Sequence, residues 1–211
     1  CKDSLALLKQ YKVMLTENKQ SAALTVLAGA ADAREVNDRI LTKDGAHRLS
    51  TFLGYYVLQA MAKADNMQGA LAVIREYWGG MLDMGATTFW EDFSIDWLEN
   101  AAPIDQPVPE GMKDIHGDFG SYCYEGFRHS LCHGWASGPT AFLSQKVLGV
   151  CPLMPGFREV AIHPDLGDLE WVEGTYPTPK GDIWVHHRRL KDGTISTQYQ
   201  APKGVRVVLH K

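Results

Sequence analysis

At 211 residues, 45 % of them apolar, the chain can bury one large core or two small ones, and its composition excludes a disordered or fibrous protein. A formal net charge of −4 and a pI near 6.1 supply no long-range attraction for phosphate backbones, so nucleic acid is excluded as an expected partner. No run of about 18 apolar residues and no charged-then-apolar leader occurs, so no membrane span is expected and no compartment is marked. The opening residue is Cys1 rather than Met, which fits an excerpt of a longer chain.

Helical periodicity dominates the chain as far as Gly80. Ser4 to Asn18 forms one candidate helix, and Ser21 to Ala31 a short second one. Ser50 or Thr51 caps a segment in which Phe52, Tyr55, Tyr56 and Gln59 share a face. Met67, Leu71, Ile74 and Trp78 recur at helical spacing, which predicts a helix burying a stripe, and Gly79-Gly80 is expected to stop it. These segments read as antiparallel helical hairpins. From Asn100 to Gly120 the residues Pro103, Pro107, Pro109, Gly111 and Gly117 forbid regular structure, and so long a loop in a compact domain implies a purpose. Helical character returns at Ser137-Gly138-Pro139, where Ser137 can cap and Pro139 can sit in the first turn, and it runs through Phe142, Leu143 and Val147 to Gly149.

Beyond Pro155 the pattern changes to short β-rich runs: Glu159 to Ile162, Leu169 to Tyr176, Asp182 to Leu190, Thr194 to Tyr199 and Val205 to His210. Lys191-Asp192-Gly193 predicts a hairpin turn. The expected fold class is therefore α+β and multidomain. Residues 1–150 should be almost wholly helical and residues 151–211 an antiparallel β unit, with the break between Cys151 and Gly156. Cys1, Cys123, Cys132 and Cys151 read as free thiols. The group Cys123, His129, Cys132 and His133 contains metal-capable ligands but lacks a CxxC pair, so no metal is expected.

Two clusters can carry chemistry. In Met84 to Phe93, Thr88 and Glu91 have the spacing of a capping box at a helix start. The same Glu91 beside Trp90 offers a base next to a flat apolar platform, a combination that suits a sugar. In Arg128 to Thr140, His133 and Trp135 stand just ahead of a helix start, where backbone donors converge and a polyhydroxylated ligand could be held. The alternative is a structural role for His133, satisfied by neighbouring backbone, which is the commoner one for a histidine of unknown context.

The string Gly85-Ala-Thr-Thr-Phe-Trp-Glu91, followed by Ser130-Leu-Cys-His133-Gly-Trp-Ala-Ser-Gly-Pro-Thr140, Leu148-Gly149-Val150 and Pro155-Gly156-Phe157, resembles the C-terminal third of the bacterial α-L-rhamnosidases of glycoside hydrolase family 78. The likeness extends more weakly through the Ser50 to Ala60 helix, Ile162-His-Pro164 and Pro179-Lys-Gly181. It implies the C-terminal portion of an (α/α)6 toroid of helical hairpins over residues 1–150, followed by an antiparallel β-sandwich over 151–211. It further implies inverting hydrolysis of terminal α-L-rhamnosyl bonds, with Glu91 as general base and His133 on the sugar. Trp90 and Trp135 would wall the pocket, and no metal or organic cofactor is called for.

The family's general acid belongs upstream of the region this resemblance covers, so the expected partners are a carbohydrate substrate and the upstream part of the same polypeptide. The segment between Glu91 and His133 is longer than the family pattern, which leaves the leaving-group specificity open and makes a roof over the site of the loop from Asn100. Rival readings are another helical-toroid glycosidase or lyase, a non-catalytic carbohydrate-binding module, and a structural fragment. Tyr176 and Trp184 read as core residues of the β unit.

Overall fold

A computed structural model of the protein describes residues 17–115, 117–118 and 130–209, together with Ala6. The candidate helix from Ser4 to Asn18 falls almost wholly outside the described residues, as do Cys1, Cys123 and His129. The chain divides into two compact units, Cys1–Pro139 and Thr140–Lys211.

In the first unit three of the four described α-helices before Met84 start on a side-chain cap. Asn18 accepts the Ser21 N–H at the head of α1 (Lys19–Leu27), and Asp32 accepts the Glu35 N–H at the head of α2 (Ala33–Val36). A π-helical turn, Asn37–Leu41, extends α2. Helix α3 (Gly54–Lys63) begins one turn after Ser50, whose hydroxyl accepts the Leu53 N–H. Helix α4 (Met67–Asp83) starts on Asn66, which accepts the Gly69 N–H and is itself held by its amide donating to the Asn37 side chain.

Helix α4 buries Met67, Ala70, Leu71, Val73, Tyr77, Trp78, Gly80 and Met81, a stripe that contains three of the four predicted positions and leaves the fourth, Ile74, only half-buried. Against expectation it runs through Gly79-Gly80 to Asp83. The reason is packing: a β-carbon on Gly80 would stand 3.1 Å from the Leu98 side chain and 3.5 Å from the Phe93 ring, so this glycine lets the following segment approach rather than ending the helix.

The expectation of an almost wholly helical first part does not hold after α4. Residues 84–137, where described, contain only 3-10 turns at Ile95–Glu99 and Gly134–Ala136 and a two-residue parallel pairing of β1 (Ala101–Ala102) with β2 (Lys113–Asp114). That pairing closes the base of the proline-rich loop, residues 105–114 of which are exposed, while Ala101, Ala102 and Ile115 are buried beneath it. Helix α5 (Gly138–Phe142) and a second π turn (Leu143–Val147) follow. Ser137 does not act as the expected acceptor cap in the contacts seen; its hydroxyl donates to the Gly134 carbonyl.

The second unit holds two three-stranded sheets. The first has the order β3 (Val150–Pro152), β4 (Glu159–Ile162), β8 (Arg206–Leu209), and the second β5 (Trp171–Tyr176), β6 (Ile183–Arg189), β7 (Ile195–Gln200). All pairs are antiparallel except β4 with β8, which runs parallel and departs from the expected arrangement. The predicted turn Lys191-Asp192-Gly193 joins β6 to β7, with Gly193 at φ +85° and the Leu190 N–H donating to Thr194. Strand β6 alternates strictly: Ile183, Val185 and His187 are buried and point to a core shared with Leu148, Val150, Val160 and Ile162. Tyr176 packs against that core as expected. Trp184 does not, because its register puts it on the opposite, outer face of the sheet.

Candidate active site

The candidate site is built where two separated strings meet. The Glu91 N–H donates to the Ser130 carbonyl at 2.9 Å, the His133 N–H donates to the Phe89 carbonyl at 2.8 Å, and the Thr88 hydroxyl donates to the Leu131 carbonyl. These bonds lay the segment Thr88 to Glu91 alongside Ser130 to His133, the two strings the sequence singles out.

No helix starts at Thr88, so the capping-box reading fails. The Glu91 carboxylate instead accepts the backbone N–H of Ser130 at 2.8 Å through Oε2, a partner 39 residues away. Its other oxygen, Oε1, lies 3.8 Å from His133 Nε2, too long for a direct hydrogen bond and a spacing that a bridging hydroxyl or water could fill. The Glu91 side chain retains 19 % of its accessible surface and that of His133 33 %, so both can meet a solute. The result is a carboxylate fixed at one oxygen by a charge-assisted bond and open at the other.

Three near-parallel rings flank it. His133 stacks on Trp135 with centroids 4.2 Å apart and planes within 4°, and Trp135 stacks on Phe52 at 5.6 Å and 24°. The Trp135 indole N–H donates to the Glu91 carbonyl at 3.1 Å, and the Thr51 hydroxyl donates to the same oxygen. The strip therefore stands at a fixed distance from the carboxylate, and Trp135 remains 43 % exposed. From behind, the Trp78 indole N–H donates to the Ala136 carbonyl at 3.0 Å and ties the turn after His133 to α4.

Of the four residues singled out in the sequence, Glu91, His133 and Trp135 come together. Trp90 does not join them. It is 1 % exposed, with its ring edge-on to Phe93 at 6.1 Å, because adjacent residues in extended backbone point to opposite sides and Glu91 takes the open one. It is a core residue and walls no pocket. The sequence assigns no site role to Thr51, Phe52 or Ser130. Their contributions, three hydrogen bonds with Glu91 and a ring contact, depend on segments far apart in the chain and leave no local signal. Among the described residues no group of three metal-capable side chains occurs, and no helix is long and apolar enough to cross a membrane. Cys132 and Cys151 are free thiols.

Comparison with known proteins gives this geometry a context. Residues 149–210 match the family model of the bacterial α-L-rhamnosidase C-terminal domain. An α-L-rhamnosidase of Alteromonas sp. (strain LOR) is 31 % identical over 121 residues, which are 55 % of this chain and 10 % of that protein. The crystal structure of a family 78 rhamnosidase from Bacillus sp. GL1 superimposes with a TM-score of 0.68 at 26 % identity, covering 92 % of this chain and 19 % of that one. The α-L-rhamnosidase of Aspergillus terreus shares the fold, with a TM-score of 0.72 at 17 % identity over 93 % of this chain and 22 % of its own. The chain thus spans between a tenth and about a fifth of the length of these relatives. Along most of its length it is similar to α-L-rhamnosidases of glycoside hydrolase family 78, and its residues 149–210 match that family's C-terminal domain.

Proposed function

We propose that the chain is part of an inverting glycoside hydrolase that cleaves terminal α-L-rhamnosyl bonds, and that it supplies the general base of that reaction. The helices up to residue 150 would close an (α/α)6 toroid and residues 151–211 would form a β-sandwich; the start of the family match at residue 149 supports that division. In an inverting mechanism one carboxylic acid protonates the leaving oxygen while a carboxylate roughly 6.5–9.5 Å away activates a water on the opposite face of the sugar. Glu91 takes the second role, His133 a sugar hydroxyl, and Trp135 a wall of the pocket. The acid would come from the upstream polypeptide, and the loop from Asn100 would roof the site.

The observation that carries this reading is the half-open carboxylate. Glu91 Oε2 is held by the Ser130 N–H while Oε1 faces His133 across a gap suited to one bridging oxygen. A carboxylate serving only as a structural acceptor has no need of a second, accessible oxygen. The test is Glu91→Gln in the complete parent enzyme acting on an aryl α-L-rhamnoside, with the first-formed anomer followed by proton NMR. The carboxamide oxygen introduced by that substitution can still accept the Ser130 N–H, so the fold should persist. Turnover should fall by roughly 10²–10⁴-fold, the weight of one positioned acid–base group, and the wild-type product should be the inverted anomer. Undiminished turnover, or a first product of retained configuration, would remove Glu91 from this role.

A further inference from the structure

The core of the second unit accounts for the inward residues of the β5–β6–β7 sheet and leaves its other face unexplained. The pairing register puts Trp171, Glu173 and Thr175 of β5, Trp184, His186 and Arg188 of β6, and Ser196, Gln198 and Gln200 of β7 on that face. Trp171 is 57 % exposed. Leaving so large a ring in water is unfavourable by the usual burial argument, and it stands at the end of a row with the half-buried rings of His186 and Trp184. The Trp184 and His186 centroids are 6.2 Å apart with planes 31° from one another, and those of His186 and Trp171 are 6.4 Å apart at 60°. Beside the far end of the row, Glu170, Trp171, Arg188, Arg189, Leu190 and Lys191 line an open cavity of about 480 Å³.

We propose that this face is a saccharide-binding platform, separate from the Glu91 site and taking an extended chain of pyranose units. The company the rings keep fixes the occupant. A protein partner or another segment of polypeptide needs a contiguous apolar patch at the centre of its contact. On this sheet face the rings are instead bordered by carboxylate, hydroxyl, guanidinium and carboxamide groups: Glu173, Thr175, Arg188, Ser196, Gln198 and Gln200. Such a surface matches a ligand with an apolar C–H face and a rim of hydroxyls, which can lie flat on an indole while donating to and accepting from side chains at its edge. The in-line spacing, about that of alternate residues along one strand, lets successive sugars meet successive rings. The cavity past Trp171 gives the chain end a place to turn, with Arg188 and Lys191 able to meet hydroxyls or a sugar carboxylate there.

The experiment uses the whole 211-residue chain in affinity electrophoresis against soluble rhamnogalacturonan, xylan and mannan. Comparison variants are Trp171→Ala, Gln198→Ala with Gln200→Ala, and Glu91→Gln. At least one polysaccharide should retard the wild type. Trp171→Ala should weaken the retardation roughly tenfold or more, the factor corresponding to about 1.4 kcal/mol of contact. The double glutamine variant, which alters only exposed positions and keeps the fold, should weaken it as well, and Glu91→Gln should leave it unchanged. Three outcomes would overturn the proposal: no retardation by any of the three polymers, retardation lost in Glu91→Gln but kept in Trp171→Ala, or a wild-type dimer in sedimentation that Trp171→Ala converts to monomer. The last would make the face a contact between copies of the chain. Whether Glu91 is the base is decided separately, by turnover of the complete parent enzyme.

Discussion

His187 shows how much a strand pattern reveals about one residue and where it stops. The alternation of Ile183, Val185 and His187 with Trp184, His186 and Arg188 is legible in the sequence as a strand, yet the alternation alone does not say that the row holding a histidine is the buried one. The structure buries His187 completely. Its Nε2 lies 3.0 Å from the Leu148 carbonyl, an acceptor only, so Nε2 carries the proton, and Nδ1 accepts from the Thr197 hydroxyl at 2.8 Å. This neutral tautomer is fully satisfied. Burial holds the His187 pKa below its ordinary value; the bond to Leu148 opposes that shift and the neighbouring His186 adds to it. The unfolded chain therefore takes up the proton more readily than the folded one. The stability contributed by neutral His187 is complete above the unfolded value of about 6.5 and is lost as pH falls from there through the lower folded value. Thermal melts of the chain should show a midpoint that drops between about pH 7.5 and pH 5, and His187→Gln should flatten that slope while lowering the midpoint at the upper pH. An equal slope in the two proteins would show that other groups govern the acid response.

At the scale of elements, what periodicity encodes was legible and what distant packing decides was not. The spacing of Met67, Leu71 and Trp78 announces α4, and Asp192-Gly193 announces the β6–β7 turn, because each signal lies within one element. The Gly79-Gly80 pair misleads, since glycine ends a helix when it adopts positive φ but also serves where another segment comes close. Neither residue has a positive φ. The two glycines differ in surroundings: a β-carbon on Gly79 meets nothing within 4 Å, whereas one on Gly80 meets Leu98 and Phe93. Gly79→Ala should stabilise the first unit by roughly 0.5–1 kcal/mol through helix propensity. Gly80→Ala should forfeit that gain against the Leu98 contact and come out neutral or destabilising, by urea titration of both variants. Gly149 is the opposite case: it has φ +74°, and a β-carbon would fall 2.2 Å from the His163 carbonyl oxygen, so both backbone conformation and space require glycine there. The parallel pairing of β4 with β8 had no signal at all, because the partners are far apart in sequence and an alternating strand reads the same in either direction.

For the molecule as a whole, the order of helices before strands was legible because the hydrophobic period changes from about 3.6 to 2 near Cys151. The meeting of Glu91 with His133 was not legible from composition or spacing and came only from resemblance, since backbone bonds between two irregular segments enforce no pattern on either. That meeting sets the last expectation. On the described surface Glu91 has a histidine and a strip of rings beside it, and an inverting glycosidase requires in addition an acid on the other side of the glycosidic oxygen. This chain matches only 10 % of one relative and 19 % of another, which leaves ample polypeptide in such proteins to supply that acid and the facing wall. The 211-residue chain alone should therefore release no measurable aglycone from an aryl α-L-rhamnoside, whereas the complete parent enzyme should. Losing the acid removes its share of roughly 10²–10⁴-fold, and losing the facing wall removes the positioning that makes any remaining group effective. Steady release by the isolated chain, abolished by Glu91→Gln, would mean that the acid lies within this chain and that the division of the two carboxyls between distant parts of the polypeptide is wrong.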